Sequence, residues 1–187
     1  MFLLATAVAV LAGCTESTSL GGGQGSYVSG DGTISEFLRD GRGDPVAFSG
    51  QTDDGEVFAS SDHLGQVVVV NFWYAACPPC RLEAAWLEEL SQQFNDDGVV
   101  FVGVNLRDDA ETSLAFARRF GVTYPSVLDT RAEVITAFAG QASAAAVPTT
   151  VVLDREGRPA SRIIGLIDKG ILETLITDAL GESDDEG

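Results

Sequence analysis

The sequence has few basic residues, few cysteines, a single histidine and no apolar run long enough to cross a bilayer. Lysine and arginine together number 11 against 28 aspartates and glutamates, which gives a formal net charge of −17. A surface of this charge repels nucleic-acid phosphates, so the composition argues against a nucleic-acid-binding protein. It also repels anionic lipid headgroups, so a basic patch cannot attach the protein to a membrane.

The longest apolar run, residues 1–13, fits the hydrophobic part of an export signal and is too short for a membrane-spanning helix, which needs about 20 residues. No lysine or arginine precedes it. Leu11-Ala12-Gly13-Cys14 resembles the bacterial lipobox, which predicts a signal peptide over 1–13 and lipid on Cys14. We therefore expect a lipid-anchored protein on the extracytoplasmic face of the cell membrane. The alternative is a buried strand that ends at an unpaired cysteine.

The composition divides the rest of the chain into three parts. Residues 14–43 are rich in glycine, serine and threonine, and they bury too little apolar surface to fold by themselves. We predict that they form a flexible tether between the lipid anchor and a folded domain. Residues 44–181 are predicted to form that domain, because the chain has the apolar and charged fractions of a globular protein. Residues 182–187 are predicted to be an acidic tail.

Hydrophobic patterns in the domain predict an α/β fold, with a central mixed sheet flanked by helices and an N-terminal β-hairpin extension. Residues 67–104 form a predicted βαβ unit with a right-handed crossover. The predicted strands are 46–49, 57–59, 67–72, 99–104, 149–153 and 160–164, and the predicted helices are 79–95, 109–120, 132–138 and 169–180. In the first long helix, Leu82, Trp86, Leu87 and Leu90 are the predicted core-facing residues.

If Cys14 carries lipid, Cys77 and Cys80 are the two cysteines that remain. Only two residues separate them, so a disulfide between them would close too small a loop to stabilise the fold much. With His63 as the only histidine, they also cannot complete a tetrahedral zinc site within one chain. We therefore predict no metal, and no cofactor other than a redox-active disulfide between Cys77 and Cys80.

The two cysteines lie in a CxxC motif at the turn between a predicted strand and a predicted helix, a context that is typical of thiol redox sites. Cys77 stands at the positive end of the helix, where the thiolate is favoured, so we predict that its sulfur is exposed and attacks substrate. Cys80 lies one turn further in and is predicted to resolve the mixed disulfide. Pro78 and Pro79 offer no N–H groups to the Cys77 sulfur. This favours a reductant over an oxidant.

Five short motifs carry a resemblance to a known family: Asn71-Phe72-Trp73, the CPPC of residues 77–80, Glu83, Tyr124-Pro125 and Val147-Pro148-Thr149-Thr150. In this combination, residues 44–180 resemble the TlpA/ResA branch of thioredoxin-like proteins. The resemblance implies a thioredoxin fold and a thiol–disulfide oxidoreductase that works as a reductant outside the cytoplasm, often in cytochrome c maturation. It implies disulfide-containing client proteins, with apocytochrome c as one candidate, and a membrane electron-relay protein as partners.

Three residues are candidates for substrate contact. The resemblance implies that Pro148 is a cis proline opposite the CPPC, which would leave the backbone of Val147 free to pair with an extended substrate strand. Trp73 is the third candidate, although a core position is the favoured interpretation of this residue. Ala76 replaces the tryptophan that is usual before the first cysteine, and Ala85 stands where the family often has proline. The first departure leaves the substrate preference open.

Glu83 matches the acidic residue of this branch, whereas Asn71 stands where thioredoxin itself has a buried aspartate. Glu83 lies three residues after Cys80 and so on the same side of the predicted helix. Our hypothesis is that Glu83 moves protons to and from the Cys80 thiol. The alternative is an ordinary solvated glutamate.

Three other functions remain open from the sequence. A peroxiredoxin-like peroxidase shares the fold but needs a threonine shortly before its reactive cysteine, where this chain has residues 73–76. A Sco-like copper chaperone needs a CxxxC motif and a distant histidine, whereas His63 precedes a CxxC motif here. A tethered binding module with an unreactive CPPC is the third alternative.

Overall fold

The computed structural model describes residues 26–140 and 142–182. The strands are β1 Ser26–Val28, β2 Ile34–Phe37, β3 Ser49–Gln51, β4 Val57–Ala59, β5 Val67–Trp73, β6 Val99–Asn105, β7 Ser126–Leu128, β8 Thr149–Leu153 and β9 Pro159–Ile164. The α-helices are α1 Pro78–Gln93, α2 Ala110–Phe120, α3 Glu133–Ala137 and α4 Lys169–Gly181. The predicted signal peptide, Cys14 and all of the acidic tail except Glu182 lie outside the described residues.

The main structural unit is a seven-stranded mixed sheet with the order β1-β2-β9-β8-β5-β6-β7. Strand β5 lies in its interior, parallel to β6 and antiparallel to β8. All seven residues of β5 are buried, as expected for a continuous β-branched run that is covered on both faces. The predicted βαβ unit and the predicted mixed sheet with flanking helices are therefore confirmed.

Two apolar clusters fill the two sides of this sheet. Leu87 and Leu90 of α1 pack with Leu172 and Ile176 of α4 on one side. On the other side, Phe72 packs with the aromatic residues that come from the β3–β4 hairpin and from the end of α3. Among residues 26–140 and 142–182, no helix is both long enough and apolar enough to span a membrane.

The helix predictions are confirmed within two residues at each end, but one predicted helix face is wrong. Leu82 is 61% exposed and Trp86 is 37% exposed, although both have the spacing of core residues. The buried face of α1 is instead centred on Cys80, Glu83 and Leu87. One residue of this buried face is Glu83, and a hydrophobic pattern does not assign a glutamate to the core.

The strand predictions were wrong at three places. Strand β7 has only three residues and was not predicted. The first hairpin strand lies at Ser49–Gln51 and not at 46–49. The Val46 amide bonds to the Gly157 carbonyl and the Phe48 amide to the Ser60 hydroxyl, so this segment does not pair with β4.

The third error concerns the predicted tether, because its described part is ordered. Strands β1 and β2 extend the sheet next to β9, with Ile34 opposite Ile163 and Glu36 opposite Ser161. The domain therefore begins well before residue 44. Composition did not reveal these strands because β2 pairs with a strand more than 120 residues away in the chain, and β1 pairs with β2.

A buried ion pair fixes the end of this N-terminal segment. The Arg42 guanidinium donates to Asp154 at 2.8 Å and to both carboxylate oxygens of Glu182. Asp154 also accepts from the Arg158 side chain at 3.0 Å. Arg42 thus connects the N-terminal segment, the β8–β9 turn and the end of α4.

We expect Arg42→Ala to lower the free energy of unfolding by about 3 kcal/mol, because it leaves the buried Asp154 carboxylate with one cation fewer. The Arg42 side chain is only 4% exposed. The matched control is Arg131→Ala, which removes an arginine that is 81% exposed and pairs with Glu133. The control should change stability by less than about 0.5 kcal/mol. Equal losses in urea denaturation would contradict the assigned role of Arg42.

Candidate active site

The two cysteines lie at the N-terminus of α1, directly after the buried strand β5. Cys77 is the N-cap residue, and Pro78 and Pro79 occupy the first helical positions, where a missing N–H costs least. The Cys77 amide donates to the Tyr74 carbonyl at 3.1 Å, which closes the turn between strand and helix. Cys77 and Cys80 are joined in a disulfide, and the Cys80 amide donates to the Cys77 sulfur at 3.2 Å.

Both cysteines are buried in this oxidised form. Cys77 is 1% exposed and Cys80 is 2% exposed, so the prediction of an exposed Cys77 sulfur is wrong for the disulfide state. The reason is an apolar cluster that surrounds the pair: Trp73, Ala84 and Phe116, with Tyr74, Ala75, Phe120, Val122 and Val147 packed at its edge. We call this set the redox cluster. The two sulfurs therefore differ in helix position rather than in exposure.

The position of Cys77 favours its thiolate when the pair is reduced. Its sulfur stands at the positive end of a 16-residue helix whose first turn contains no acidic residue. The amide of Cys80 already points at that sulfur. The predicted role of Cys77 as the attacking thiol remains a prediction that this geometry fits.

Glu83 is fully buried, which excludes the solvated alternative. Its Oε1 accepts from the Asn71 side-chain amide at 2.9 Å, and its Oε2 accepts from the Ile167 amide at 3.1 Å. Burial raises the pKa of Glu83 to about 7, although the hydrogen bonds from Asn71 and Ile167 lower it. A carboxyl group one turn after Cys80 therefore changes its protonation state near neutral pH.

Sequence reasoning did not predict the partners of Glu83. Asn71 comes from β5, and it also donates to the Thr150 hydroxyl of β8 at 3.1 Å. Ile167 comes from the loop before α4. The only available signal was Asn71 itself, a polar residue within a run of buried apolar residues.

Tyr124 lies near this carboxyl group. Burial raises the pKa of the Tyr124 hydroxyl, and the charges of Glu83 and Glu88 raise it further, so the hydroxyl stays neutral. Together with Asn71, Cys80 and Ser126, Tyr124 lines a cavity of about 10 Å³ between α1 and the sheet. Polar side chains therefore lie near Cys80 in the interior of the protein.

The loop before β8 contributes the other wall of the site. The Val147–Pro148 peptide bond is cis, as the family resemblance implied. Val147 packs against the redox cluster. The Pro148 carbonyl accepts from the Gly165 amide at 2.8 Å, whereas within the described residues the backbone of Val147 forms no hydrogen bond. An extended peptide could therefore pair with Val147 beside the cysteines.

Trp73 supports the cysteines from the core side. Its ring lies 4.3 Å from the Phe116 ring, and its Nε1 donates to the Ser126 hydroxyl at 3.1 Å. The Ser126 amide and the Ser113 hydroxyl both donate to Asp53, which comes from the hairpin turn. Trp73 is buried in this oxidised form, so the core position that the sequence favoured is the one observed.

Gly103 allows the Trp73–Ser126 bond to form. A Cβ atom at Gly103 would lie 2.2 Å from the Ser126 hydroxyl oxygen and 2.7 Å from Trp73 Nε1. We expect Gly103→Ala to cost about 3 kcal/mol of stability, from overpacking and the lost hydrogen bond, and to change tryptophan fluorescence. Gly140→Ala is the control, since a Cβ there has no atom within 4 Å. Similar thermal denaturation of both variants would argue against this role.

His63, the only histidine, lies away from this site. Its ring stacks on Phe58 at 4.7 Å and hydrogen-bonds to Gln66. Within residues 26–140 and 142–182, no group of three or more His, Cys, Asp or Glu side chains is placed to hold a metal ion.

Comparison with known proteins agrees with this geometry. The model of the AhpC/TSA family matches residues 43–158. The thiol-disulfide oxidoreductase ResA of Geobacillus kaustophilus is 33% identical over 113 residues, which are 60% of this chain and 63% of that protein. The match thus spans just under two thirds of this relative. The predicted resemblance to the ResA branch is confirmed.

Solved structures give the same fold. A DsbF homologue from Corynebacterium diphtheriae superposes with a TM-score of 0.74 at 28% identity, over 81% of this chain and 96% of that one. A secreted thiol-disulfide isomerase from Corynebacterium glutamicum gives a TM-score of 0.76 at 26% identity, over 86% and 100% of the two chains. The predicted thioredoxin-like fold is therefore confirmed.

Proposed function

The chain belongs to the AhpC/TSA family, and from this premise we propose that it is a thiol–disulfide oxidoreductase that reduces protein disulfides. The observation that carries the proposal is the Cys77–Cys80 disulfide at the N-terminus of α1, with Val147 packed against the redox cluster and its backbone in no hydrogen bond among the described residues. The likeness to the ResA and isomerase relatives supports the same activity.

In the proposed reaction, the Cys77 thiolate attacks one sulfur of a client disulfide and releases the other client sulfur as a thiolate. Cys80 then loses its proton and attacks the Cys77 sulfur of the mixed disulfide, which releases the second client sulfur. Two electrons pass to the client, and the Cys77–Cys80 disulfide remains. The buried Glu83 carboxylate takes the Cys80 proton, since its pKa near 7 suits transfer in either direction.

We propose a reductant rather than an oxidant. A strong oxidant is one whose reduced form is unusually stabilised, and hydrogen bonds to the thiolate are one source of that stability. Pro78 and Pro79 donate none, and the Cys80 amide is the hydrogen-bond donor to the Cys77 sulfur among the described residues. A measured reduction potential near the strongly oxidising value of about −120 mV would contradict this direction.

The proposed setting is the outer face of the cell membrane, with lipid on Cys14 as the anchor. An exported reductant needs a source of electrons, because that compartment is oxidising, so a membrane electron-relay protein is the proposed partner. Clients are disulfide-containing proteins in general, as the ResA relatives support, and apocytochrome c is the specific client that we propose from the resemblance to the TlpA/ResA branch. Expressed with its leader, the wild-type chain should be recovered in membranes, and Cys14→Ser should release it. An unchanged distribution would remove the anchor from the proposal.

Insulin reduction, peroxide consumption and copper titration, run side by side, test the proposed activity. We expect insulin reduction driven by dithiothreitol to proceed many-fold faster with the protein than without it. Rapid peroxide consumption without insulin reduction would favour the peroxidase alternative. Stoichiometric copper binding without insulin reduction would favour the chaperone. No activity in any assay would favour a binding module.

A further inference from the structure

Three arginines stand out because they contact the redox cluster and are in no ion pair among the described residues. Arg118, Arg155 and Arg162 also form no ion pair within that part of the chain, but none of them has a described contact with the cluster. The chain has 11 basic residues, and five of them form ion pairs: Arg39, Arg42, Arg131, Arg158 and Lys169. Arg81, Arg107 and Arg119 are exposed, and among the described residues none of them is in an ion pair. In a chain of net charge −17, three unpaired cations are a marked local feature.

All three arginine side chains contact members of the redox cluster. The Arg107 guanidinium lies over the Tyr74 ring, 4.0 Å from its centroid. Arg81 Nε donates to the Ala75 carbonyl at 2.7 Å. The Arg119 guanidinium lies 5.8 Å from the centroid of the Phe120 ring. Tyr74, Ala75 and Phe120 are the partly buried edge of the cluster around Cys77 and Cys80, so the three cations form a border at the redox site. We call them the arginine rim.

The contacts hold these side chains while leaving them able to bind. A guanidinium group that stacks on a ring keeps its N–H edges free for a carboxylate, which it can bind through two parallel hydrogen bonds. The two carboxylates nearest in sequence to Arg107 are already engaged: Asp108 accepts from the Ala75 amide at 2.6 Å, and Asp109 caps α2 through the Thr112 amide. They hydrogen-bond to backbone amides and do not pair with the rim.

We propose that the arginine rim recognises acidic residues that flank the disulfide of a client polypeptide. The inference rests on the proposed function and names the chemistry of its substrate. Helix α2 has 11 residues, so about 16 Å separates its ends, and Arg107 and Arg119 lie near opposite ends. About five residues of extended peptide cover that length, which places acidic residues on both sides of a central cysteine within reach.

The rim also explains how such a client could approach an acidic protein. Most of the surface repels an acidic segment, so the segment is accepted where positive charge is exposed. The arginine rim, where this positive charge is exposed, borders the redox cluster that contains Cys77. Charge would therefore orient the client as well as bind it, and the effect should weaken as salt screens it.

Two matched disulfide peptides test the proposal. Each is a capped nonapeptide with a central cysteine, linked to its copy; one carries glutamate two residues before and after the cysteine, and the other carries glutamine there. The reduced full-length protein reacts with each, and acid quenching with alkylation gives the rate constant. Each rate is divided by that of dithiothreitol with the same peptide, which removes the effect of glutamate on the peptide's own cysteine.

At low salt, we expect the wild-type protein to prefer the glutamate peptide at least fivefold, and 0.5 M NaCl should remove most of that preference. Arg107→Gln combined with Arg119→Gln should abolish or reverse it, because the remaining surface is repulsive. The control Arg131→Gln removes one positive charge elsewhere and should keep the preference. Equal rates with both peptides in the wild type, or an unchanged preference in the double variant, would overturn the proposed role of the arginine rim. Neither result would contradict the proposed function. Failure to reduce either peptide would overturn the proposed function.

Discussion

Cys77→Ser is expected to lower the rate of disulfide reduction by about 10³-fold or more, because it removes the sulfur that attacks the client. Cys80 cannot replace it. Cys80 lies one turn inside α1, whereas Cys77 is the N-cap residue at the positive end of the helix, where the thiolate is favoured. The insulin assay with dithiothreitol measures the loss, and thermal denaturation of the reduced proteins shows whether the variant is folded.

Cys80→Ser is the informative partner of this variant. It keeps the attacking sulfur but cannot release the client, so a mixed disulfide at Cys77 should accumulate and should be recovered by mass spectrometry. If Cys80→Ser forms no such adduct while Cys77→Ser does, the two roles are reversed. If neither variant forms an adduct, the attacking and resolving assignment is wrong altogether.

The second large effect concerns stability and pH through Glu83. Its pKa is about 7 in the folded protein against an ordinary value of 4.5. Between these values the folded protein holds a proton that the unfolded chain has released. This contribution to stability is therefore fully present below about pH 4.5 and is lost as the pH rises through 7. The loss amounts to about 3 kcal/mol.

Glu83→Gln should remove this dependence, because glutamine does not titrate. Relative to the wild type, the variant should gain about 3 kcal/mol of stability between pH 4.5 and pH 8, measured by urea denaturation of both proteins at each pH. Glu89→Gln is the control on the same helix, since Glu89 is exposed and pairs with Lys169. Its stability difference from the wild type should vary little with pH. Parallel pH profiles for wild type and Glu83→Gln would contradict the buried titrating carboxyl.

The same variant tests the proton-transfer role. In Glu83→Gln, release of the mixed disulfide should slow by about 10²-fold at pH 7, because Cys80 loses its proton acceptor. The inflection near pH 7 in the rate profile should disappear, and the deficit in rate should narrow at alkaline pH, where hydroxide can take the thiol proton in place of Glu83. An unchanged pH–rate profile would reject the proton-transfer role and leave Glu83 as a structural group.

The sequence predicted the elements whose signal is local. The β-branched run of β5, the CxxC after it and the capped helices carry their own pattern within a few residues. Strands β1, β2 and β7 were missed because each is short, and because β2 and β7 pair with β9 and β6 from other parts of the chain. Strand β1 pairs with β2 and so depends on the placement of β2. The glycine-rich composition around β1 and β2 favoured a tether for the same reason.

The features of the site also divide into those that the local sequence predicts and those that depend on distant parts of the chain. The positions of Cys77, Cys80 and Glu83 follow from spacing on one helix. The burial of the Cys77 sulfur does not, because it depends on Phe116 of α2 and Val147 of the loop before β8. Likewise, the sequence left open whether Glu83 is an ordinary solvated glutamate, and the contacts with Asn71 and Ile167 define it as a buried acid.

The central claim is that Cys77 and Cys80 pass two electrons to a client disulfide and end as a disulfide. Its most direct measurement is a single turnover, in which the fully reduced protein is mixed with excess oxidised peptide, quenched with an alkylating reagent and weighed by mass spectrometry. The account predicts that both thiols disappear together and that one peptide disulfide is reduced for each Cys77–Cys80 disulfide formed. Two alkylated cysteines and an intact peptide disulfide after prolonged mixing would contradict it.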